Sequence, residues 1–385
     1  MTRQRIANAR RWVVKVGSSL LTADGIGLDE ALISNWCDQM AVLKSRGIEV
    51  VLVSSGSIAE GMGRLGLSQR PRDLPTLQAA AAIGQMGLVR AYEKAFDEYQ
   101  LKTAQILLTH ADLANRQRYL NAGATLKRLL ELDTVAVINE NDTVTTEEIR
   151  FGDNDTLAAA VANLISADVL VILTDQEGLF TADPRTDKNA RLLERADAKD
   201  PEIMALAGSA GSQLGSGGMR TKIAAASRAS ASGTTTIIAN GRSDNVLQRL
   251  ASGEALGTML TSDQPPRLAR KQWLSNQLKS NGRVWLDEGA ANALQNRGVS
   301  LLAIGVTRVD GDFKRGEMVS CVRPGGIEVA KGLSNYDSEA ATRIAGKPSE
   351  EFNELLGYTS EPELINRDNL VLVDSATTTN PVGTV

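Results

Sequence analysis

Residues 12–19 read Trp-Val-Val-Lys-Val-Gly-Ser-Ser, an apolar run rich in β-branched residues that ends in a basic and small polar cluster. β-Branched residues favour strands, whereas glycine and serine favour turns, so this stretch predicts a strand that stops at the cluster. Similar apolar runs recur along the first two thirds of the chain. They cover Glu49–Val53, Ala104–Leu108, Thr134–Ile138, Val169–Leu173 and Thr234–Ala239.

Helix-like segments alternate with these runs, for example Asp29–Arg46 and Thr76–Tyr99, in which apolar residues recur at helical spacing. Asp29 near the start of the first segment and Gly47 just beyond its end match the usual capping residues. Strands that alternate with helices predict βαβ units. The predicted fold class is therefore α/β, with a mainly parallel sheet sandwiched by helices.

The pattern changes near residue 261, because residues 261–266 read Thr-Ser-Asp-Gln-Pro-Pro. This composition predicts a linker over residues 263–276 after a first domain of residues 1–262. Residues 277–370 predict a small mostly-β barrel with one or two short helices. The last stretch, Thr377–Val385, is small and polar, and residues 371–385 are therefore expected to form a disordered tail. The strand-like runs of the barrel are Val284–Leu286, Leu301–Val309, Met318–Val322 and Ile327–Ala330.

The composition argues against several classes of protein. Hydrophobic residues make up 42% and charged residues 23% of the 385 residues, and the net charge of -4 gives no whole-chain attraction to nucleic acid or membrane. Cys37 and Cys321 are too few for a disulfide framework. No apolar run approaches the roughly 20 residues that cross a bilayer, and Lys15 interrupts the run after the basic start, unlike in a signal peptide. We expect a cytoplasmic protein with two structural thiols.

Two of the polar clusters are suited to anions. Lys15 would project its ammonium group at the edge of the sheet, while Gly17 would let phosphate oxygens approach the backbone. Residues 54–57, Ser-Ser-Gly-Ser, follow the second strand in the same way and offer hydroxyl and N–H groups ahead of a helix. The alternatives are a surface lysine beside a turn and a simple helix cap.

Two further clusters combine acids with amides. Residues 139–142 read Asn-Glu-Asn-Asp and residues 152–155 read Gly-Asp-Asn-Asp. Neighbouring carboxylates repel each other, and a cationic ligand or a nearby lysine would relieve that repulsion. One aspartate of the second cluster could instead cap the predicted helix Thr156–Ile165.

Residues 215–222 read Gly-Ser-Gly-Gly-Met-Arg-Thr-Lys and lead into the predicted helix Met219–Ala231. A glycine-rich loop before a helix can cradle the phosphates of a nucleotide with backbone amides, although the spacing is not that of a Walker A loop. Lys222 would lie one turn inside the helix and reach back to the phosphates. Thr174 and Asp175, at the end of another strand, are further candidates for the nucleotide site.

Two other features carry little weight. Residues 61–66, Gly-Met-Gly-Arg-Leu-Gly, match the dinucleotide fingerprint, but they come several residues after the strand instead of directly at its end. His110 is the only histidine, so histidine acid–base or metal chemistry has a single candidate. We expect neither a nicotinamide site nor a metal cage.

Six motifs, in this order and at these separations, resemble the glutamate 5-kinase (γ-glutamyl kinase) family of the amino acid kinase superfamily. The likeness runs from about Trp12 to Leu370, and its C-terminal part resembles a PUA domain. The six motifs are Val-Lys-Val-Gly-Ser-Ser (14–19), Val-Ser-Ser-Gly-Ser-Ile-Ala (53–59), Val-Ile-Asn-Glu-Asn-Asp (137–142), Gly-Asp-Asn-Asp (152–155), Leu-Thr-Asp-Gln-Glu-Gly-Leu-Phe-Thr-Ala-Asp-Pro-Arg (173–185) and Gly-Gly-Met-Arg-Thr-Lys (217–222). The PUA likeness is carried by Asp287–Ala290, Ser300–Leu302 and Phe313–Glu317.

The resemblance implies ATP-dependent phosphorylation of the glutamate γ-carboxylate, with ATP and Mg²⁺ as cofactors. Lys15 and Lys222 would neutralise the transferring phosphoryl group, and Asp155 would hold both lysines. The resemblance assigns glutamate binding to Ser55, Asp142, Asp153 and Asn154. It assigns ATP binding to Lys15, Thr174, Asp175, Ser216, Gly217, Gly218, Met219, Arg220, Thr221 and Lys222.

The resemblance also implies partners. Feedback inhibition by proline, a homodimer or homotetramer, and a γ-glutamyl phosphate reductase (glutamate-5-semialdehyde dehydrogenase) that consumes the product are expected. The sequence departs from the family pattern at two positions. Arg220 stands where many relatives carry a small residue, which could alter nucleotide affinity, and His110 occupies a place often held by arginine, which argues against a catalytic histidine.

Two alternatives stay open. Acetylglutamate, aspartate, carbamate and uridylate kinases belong to the same superfamily, but the acid-rich clusters favour a substrate with a free ammonium group over an N-acetylated one or a nucleotide. An RNA-binding protein is the other alternative, because PUA domains in other proteins contact RNA. Basic residues near the linker permit it, although a solvated charged face is the better explanation for them. These residues are Arg267, Arg270, Lys271, Lys279 and Arg283.

Overall fold

A computed structural model describes residues 3–22, 27–145, 154–209, 218–261, 280–358 and 361–373. The chain divides into two compact units. The first unit comprises residues 1–113 and 122–269, and the second comprises residues 114–121 and 270–385.

The first unit is built on an eight-stranded sheet of order β3-β4-β2-β1-β5-β7-β8-β6. Six neighbouring strands, from β3 to β7 in this order, are parallel, whereas β8 runs antiparallel to β7 and pairs in parallel with β6. The prediction of a mainly parallel sheet is confirmed. The strands are β1 (Arg11–Val16), β2 (Glu49–Val53), β3 (Thr103–Leu108), β4 (Val135–Glu140), β5 (Val169–Thr174), β6 (Arg195–Asp197), β7 (Thr235–Asn240) and β8 (Thr258–Thr261).

Helices connect the strands and cover the sheet. Those described in or extending into the first unit are Gln4–Ala7, Ser18–Leu21, Glu30–Ser45, Ser57–Leu65, Leu74–Asp97, His110–Ala114, Arg116–Glu131, Asn154–Leu164, Pro201–Ser209, Met219–Ser230 and Val246–Ala251. The predicted bounds are shifted by one or two residues; for example, Asp29 caps helix Glu30–Ser45 by accepting from Leu32 N–H at 3.0 Å. The short strands β6 and β8 were not predicted.

Both faces of strand β1 are buried, which explains its nearly continuous apolar run. Trp12, Val14 and Val16 belong to a core cluster with Trp36 and Tyr92 of the neighbouring helices. The alternate residues of the strand point the other way, towards the face that helix Asn154–Leu164 covers. That face carries the buried side chain of Lys15.

The carboxyl ends of the parallel strands meet at one edge of the sheet, and short turns lead from β1, β2 and β7 into helices. After β2 the turn is made at Gly56, whose φ of 92° lies in the left-handed region that favours glycine, and helix Ser57–Leu65 begins at the next residue. This edge therefore brings together groups from β1, β2, β4, β5 and β7. It is the place where ligands of open α/β sheets bind.

The second unit contains a five-stranded sheet of order β10-β9-β11-β12-β13. The pair β9 and β11 is parallel and the other pairs are antiparallel. Its described α-helices are Glu288–Arg297, Ser338–Ile344 and Phe352–Leu356, one more than the predicted maximum, with 3₁₀ turns at Ala303–Gly305, Ser349–Glu351 and Arg367–Asn369. The strands are β9 (Gly282–Leu286), β10 (Val306–Gly311), β11 (Met318–Val322), β12 (Glu328–Leu333) and β13 (Leu370–Leu372).

The second unit also includes a segment from the middle of the chain. Leu120, which lies in residues 114–121, packs with Met318, Leu333 and Val371 in a small apolar cluster. The strand that ends at Leu372 extends past residue 370, where the sequence predicts the barrel to end. Residues 263–276, predicted as a linker, and residues 374–385 of the predicted tail lie outside the described residues.

Two negative findings concern the described part of the chain. No described helix is long and apolar enough to cross a membrane. Cys37 and Cys321 are both free and buried, as expected for structural thiols. Burial raises the pKa of both thiols, to about 12 for Cys321, which keeps them protonated and unreactive at neutral pH.

Candidate active site

Three side chains from two elements, strand β1 and helix Met219–Ser230, converge on one carboxylate at the edge described above. Asp155 is the second residue of helix Asn154–Leu164, and its Oδ1 forms an ion pair with Lys15 Nζ of strand β1 at 2.6 Å. Lys222, from helix Met219–Ser230, lies 3.2 Å from its other oxygen, Oδ2. Thr221 donates to the same Oδ2 at 2.8 Å. We call this group, Lys15, Asp155, Thr221 and Lys222, the phosphoryl end.

The phosphoryl end is buried and combines two ammonium groups with one carboxylate. The exposed fraction of the three charged side chains is 1% for Asp155, 4% for Lys15 and 7% for Lys222. Two ammonium groups lie side by side on one carboxylate, and neighbouring ammonium groups are strong hydrogen-bond donors to the oxygens of an anion. The geometry therefore suits an anionic ligand beside the two lysines.

The pKa values show how tightly the three charges are coupled. Burial by itself would raise the pKa of Asp155, but the charges of Lys15 and Lys222 and hydrogen bonds from Lys15 and Thr221 outweigh it and lower the pKa to about 2. Burial lowers the pKa of Lys222, and the Asp155 charge opposes that change. Asp155 therefore stays ionised at neutral pH and holds both lysines in place.

The residues predicted to bind a nucleotide lie near this cluster where the structure describes them. Gly218 precedes the helix, and its carbonyl accepts from Thr221 Oγ1 at 2.8 Å. Arg220 and Asp175 are both exposed. The charge of Asp175, like that of Asp155, opposes the lowering of the Lys222 pKa by burial. Thr174 ends strand β5 and donates to Asp175 at 3.0 Å. Ser216 and Gly217 lie outside the described residues.

Gly17 leaves room beside Lys15. A Cβ at this position would lie 3.8 Å from Lys15 Nζ and 3.5 Å from the Leu173 carbonyl oxygen, which are ordinary contact distances. A methyl group would therefore fit the folded protein but would occupy space next to the ammonium group. This space is where the sequence predicts phosphate oxygens to approach the backbone.

The amide of Asn154 organises the neighbouring part of the site. Its Nδ2 lies within hydrogen-bond distance of three acceptors, the Ser54 carbonyl at 2.8 Å, Ser55 Oγ at 2.9 Å and Asn139 Oδ1 at 3.0 Å. Its Oδ1 is buried and has no partner among the described residues. A buried acceptor without a partner is costly, so this atom is suited to an N–H donor from a ligand.

Asp142 supplies a second carboxylate to this region. Ser57 Oγ donates to its Oδ2 at 3.1 Å. Burial raises the pKa of Asp142 to about 6, although the Ser57 hydrogen bond and the charge of Arg70 oppose the increase. We call Ser55, Asn139, Asp142 and Asn154 the amino-acid end. Asp153, also predicted here, lies outside the described residues.

Helix Leu74–Asp97 supports the amino-acid end, and the sequence prediction missed every one of its contributions. Gln85 Oε1 accepts from Asn139 Nδ2 at 2.8 Å, Tyr92 shares a hydrogen bond with Ser54 at 3.0 Å, and Gln78 donates to the Thr145 carbonyl at 3.0 Å. Gly84 allows close approach, because a Cβ there would lie 1.8 Å from the Ser57 carbonyl oxygen. The sequence contains one signal of this role, the polar residue Gln85 among the small and apolar residues of the helix.

The two features given little weight in the sequence have structural roles. Gly61 and Gly63 lie inside helix Ser57–Leu65, and a Cβ on Gly61 would lie 1.7 Å from the Ala80 carbonyl oxygen. The fingerprint-like residues 61–66 therefore form a close helix contact instead of a phosphate loop. His110 begins the short helix His110–Ala114 and is partly exposed.

Among the residues that the structure describes, no group of three or more His, Cys, Asp or Glu could hold a metal ion. A Mg²⁺ ion held mainly by phosphate oxygens and water needs no such cage.

Comparison with known proteins identifies two families. Residues 10–240 match the model of the amino acid kinase family, and residues 282–356 match that of the PUA domain. The first match covers more than half of the chain. It includes the described residues of both the phosphoryl end and the amino-acid end.

Curated proteins match over almost the whole chain. A glutamate 5-kinase of Paraburkholderia xenovorans (strain LB400) is 60% identical over 371 residues, which are 96% of this chain and 100% of that protein. A glutamate 5-kinase of Burkholderia lata is also 60% identical over the same shares of the two chains. A glutamate 5-kinase of Stutzerimonas stutzeri (strain A1501) is 57% identical, again over 96% of this chain and all of that protein.

Proposed function

The chain belongs to the amino acid kinase family, and we infer from this membership and from the site geometry that it transfers the γ-phosphoryl group of ATP to the γ-carboxylate of L-glutamate. The products are L-glutamyl 5-phosphate and ADP, and the reaction is the first step of proline biosynthesis. The full-length similarity to glutamate 5-kinases supports glutamate over the acetylglutamate and aspartate alternatives.

The observation that carries this inference is the pair of lysines on Asp155. Lys15 and Lys222 come from opposite halves of the first unit and contact the two oxygens of one carboxylate at 2.6 and 3.2 Å. Their paired ammonium groups suit a phosphoryl group, whose oxygens gain negative charge during transfer. We assign Lys15 and Lys222 to charge neutralisation and Asp155 to the positioning of both.

The chemistry needs no general base. A glutamate γ-carboxylate is ionised at neutral pH, so one of its oxygens attacks the γ-phosphorus directly. The new P–O bond forms as the bond to the β–γ bridging oxygen breaks, and ADP leaves with that electron pair. The enzyme contributes alignment and positive charge, which agrees with a chain that has a single histidine.

The amino-acid end is suited to the rest of the substrate. Asp142 offers a carboxylate and Asn154 offers a buried carbonyl oxygen, and both favour an ammonium group. Ser55 Oγ accepts from the same Asn154 amide at 2.9 Å, which fixes both side chains. We assign Ser55, Asp142 and Asn154, together with Asp153, to glutamate binding.

We assign the nucleotide to the residues at the end of strand β5 and at the start of helix Met219–Ser230. These are Thr174, Asp175 and residues 216–222. We further propose that ATP binds as its magnesium complex, in which the ion neutralises β- and γ-phosphate charge. The N-terminus of a helix adds backbone N–H donors for phosphate oxygens.

Three further properties are proposed from the family resemblance. L-Proline inhibits the enzyme, the chain forms a homodimer or homotetramer, and a γ-glutamyl phosphate reductase consumes the labile acyl phosphate. The two buried free thiols fit a reducing compartment, so we place the enzyme in the cytoplasm.

The test is an acyl-phosphate trapping assay. The full chain is incubated with ATP, MgCl₂ and hydroxylamine, and hydroxamate is measured for L-glutamate, N-acetylglutamate, aspartate and carbamate; UMP, which is not a carboxylate, is tested through ADP release. We expect hydroxamate with L-glutamate and a lower rate when L-proline is added. Activity with N-acetylglutamate and none with L-glutamate would overturn the assignment.

The RNA-binding alternative is not adopted, since no specific observation favours it. Arg283 is exposed on strand β9, but the other four basic residues considered for it lie outside the described residues. A salt-dependent shift of labelled RNA by the full chain would add this activity without removing the kinase.

A further inference from the structure

One buried polar side chain beside the amino-acid end has no role in the reaction as described so far. Gln85 lies midway along helix Leu74–Asp97 and is 8% exposed. Its Oε1 accepts from Asn139 Nδ2 at 2.8 Å, whereas its Nε2 has no partner among the described residues. An amide buried at this cost is expected to serve a purpose that a leucine could not.

The direction of the hydrogen bonds around Asn139 is fixed by the backbone. The Glu140 N–H can only donate, and it donates to Asn139 Oδ1 at 2.9 Å. The other end of the Asn139 amide, Nδ2, must therefore donate, and Gln85 Oε1 receives it. The Glu140 N–H thus fixes the Asn139 amide, and the Asn139 amide fixes which end of the Gln85 amide faces it.

The direction around Asn154 is fixed in the same way. The Ser54 carbonyl can only accept, and it accepts from Asn154 Nδ2 at 2.8 Å. The same Nδ2 faces Asn139 Oδ1 at 3.0 Å and Ser55 Oγ at 2.9 Å, so its two N–H groups are fully used. Only Oδ1 of Asn154 remains, as a buried acceptor for the substrate.

We propose that Gln85 is a positioning residue that selects a substrate with a free ammonium group, by holding the Asn139 amide that in turn holds Asn154. The proposal rests on the proposed function. Gln85 Oε1 accepts from Asn139 Nδ2, and Asn139 Oδ1 accepts from Asn154 Nδ2 at 3.0 Å. Without Gln85 Oε1, Asn139 Nδ2 would be a buried donor without its acceptor, and the Asn139 amide would shift to find another. Asn154 would then lose a contact that aims its Oδ1 at the substrate.

The proposal predicts a loss confined to recognition of the α-ammonium group. Glutarate has the same carboxylates as L-glutamate but lacks the amino group, so it cannot use the Asn154 oxygen. The ratio of kcat/KM for L-glutamate to that for glutarate should therefore fall about tenfold in Gln85→Leu, the effect of one lost hydrogen bond to a charged group. KM for ATP should change less than about twofold.

The matched control is Gln39→Leu. Gln39 is also buried, in helix Glu30–Ser45, accepts from the Leu247 N–H at 2.9 Å and donates to Asn35 at 2.9 Å, away from the amino-acid end. It should lower thermal stability like Gln85→Leu and leave the glutamate-to-glutarate ratio unchanged. A general loss of stability would affect both variants alike.

The experiment measures hydroxamate formation with both acceptors in the full chain, using the inhibition constant of glutarate where its turnover is too slow. An unchanged ratio in folded Gln85→Leu would overturn the proposal, whereas inactivity of the wild type with L-glutamate would overturn the proposed function. If Gln85→Leu does not fold, the same ratio is measured in Gln85→Glu, because its carboxylate still accepts from Asn139. A ratio within about threefold of the wild type supports the proposal and a tenfold loss contradicts it.

Discussion

The phosphoryl end and the amino-acid end begin at adjacent residues, Asp155 and Asn154, but they use opposite kinds of chemistry. Asp155 holds two ammonium groups in a buried ionic cluster. Asn154 instead joins a chain of neutral amides that runs through Asn139 to Gln85. The difference indicates that the lysine charges are concentrated where the reaction creates charge. Amides of fixed direction, beside the single carboxylate of Asp142, instead recognise an ammonium group whose charge does not change.

The largest expected effect concerns the phosphoryl end. Lys222→Ala should lower kcat by roughly 10³-fold while KM for glutamate stays within about threefold, because positive charge is needed most in the transition state. Steady-state kinetics of the hydroxamate assay measure both constants. Lys94→Ala, which removes an exposed lysine 3.3 Å from Glu30, is the control. An unchanged kcat in Lys222→Ala would remove this lysine from the mechanism.

The next effect is on stability. Asp155→Asn should lower the free energy of unfolding by about 3 to 5 kcal/mol at pH 7, because two buried ammonium groups lose their counter-ion. Urea denaturation measures it. As a control, Asp168→Asn should cost less than about 1 kcal/mol, since the Asp168 carboxylate accepts only from the N–H groups of Arg10 and Arg11 and an amide oxygen can still do so.

The same carboxylate predicts a pH dependence of stability. The folded-state pKa of Asp155, about 2, lies below its ordinary value of 3.8. Its ionic contribution is therefore present above pH 4 and is lost as the pH falls towards 2. Wild type and Asp155→Asn should become more alike in stability over this range. A difference that stays constant from pH 5 to pH 2.5 would contradict the coupling described here.

At the amino-acid end the expected effect appears at a higher pH. Asp142 has a pKa raised to about 6, so its carboxylate becomes protonated below that pH and no longer attracts an ammonium group. kcat/KM for glutamate should fall roughly tenfold per unit below pH 6. Asp142→Asn should be slow and nearly independent of pH between 5 and 7, whereas Asp183→Asn, at a partly buried carboxylate held by Arg185, should keep the wild-type profile.

The smallest expected effect is a change in KM for ATP, but not in KM for glutamate, when one methyl group is added at Gly17. Gly17→Ala should raise KM for ATP several-fold and leave KM for glutamate unchanged, since the new Cβ lies 3.8 Å from Lys15 Nζ. Stability should change by less than about 0.5 kcal/mol, because no contact is closer than 3.5 Å. Gly61→Ala is the contrast, because its Cβ would lie 1.7 Å from a carbonyl oxygen and should prevent normal folding. An equal rise of both KM values would contradict the assignment.

The sequence predicts the phosphoryl end more completely than the amino-acid end, for a physical reason. Lys15 lies at the end of an apolar strand and Asp155 at the start of a helix, and a parallel sheet places such residues at one edge. Gln85 and Tyr92 lie inside a long helix instead, where periodicity indicates which face is buried but not which strand end that face meets. Their contacts depend on how the helix is aligned against the sheet.

The edges of the two sheets were also hard to predict. β6 and β8 have three and four residues, too few for a clear alternation of apolar and polar side chains. The run Leu301–Val309 looks like one strand, but Ala303–Gly305 forms a 3₁₀ turn and the strand begins only at Val306. Short elements of this kind depend on neighbours that are distant in the chain.

The segment 114–121 has a consequence for how this protein can be dissected. Leu120 packs in an apolar cluster with Met318, Leu333 and Val371. A fragment that begins at residue 270 would therefore lack one member of that cluster. An excised fragment would leave those three side chains open to water and prone to self-association. A peptide spanning residues 114–121, supplied in trans or fused ahead of residue 270, should restore its solubility.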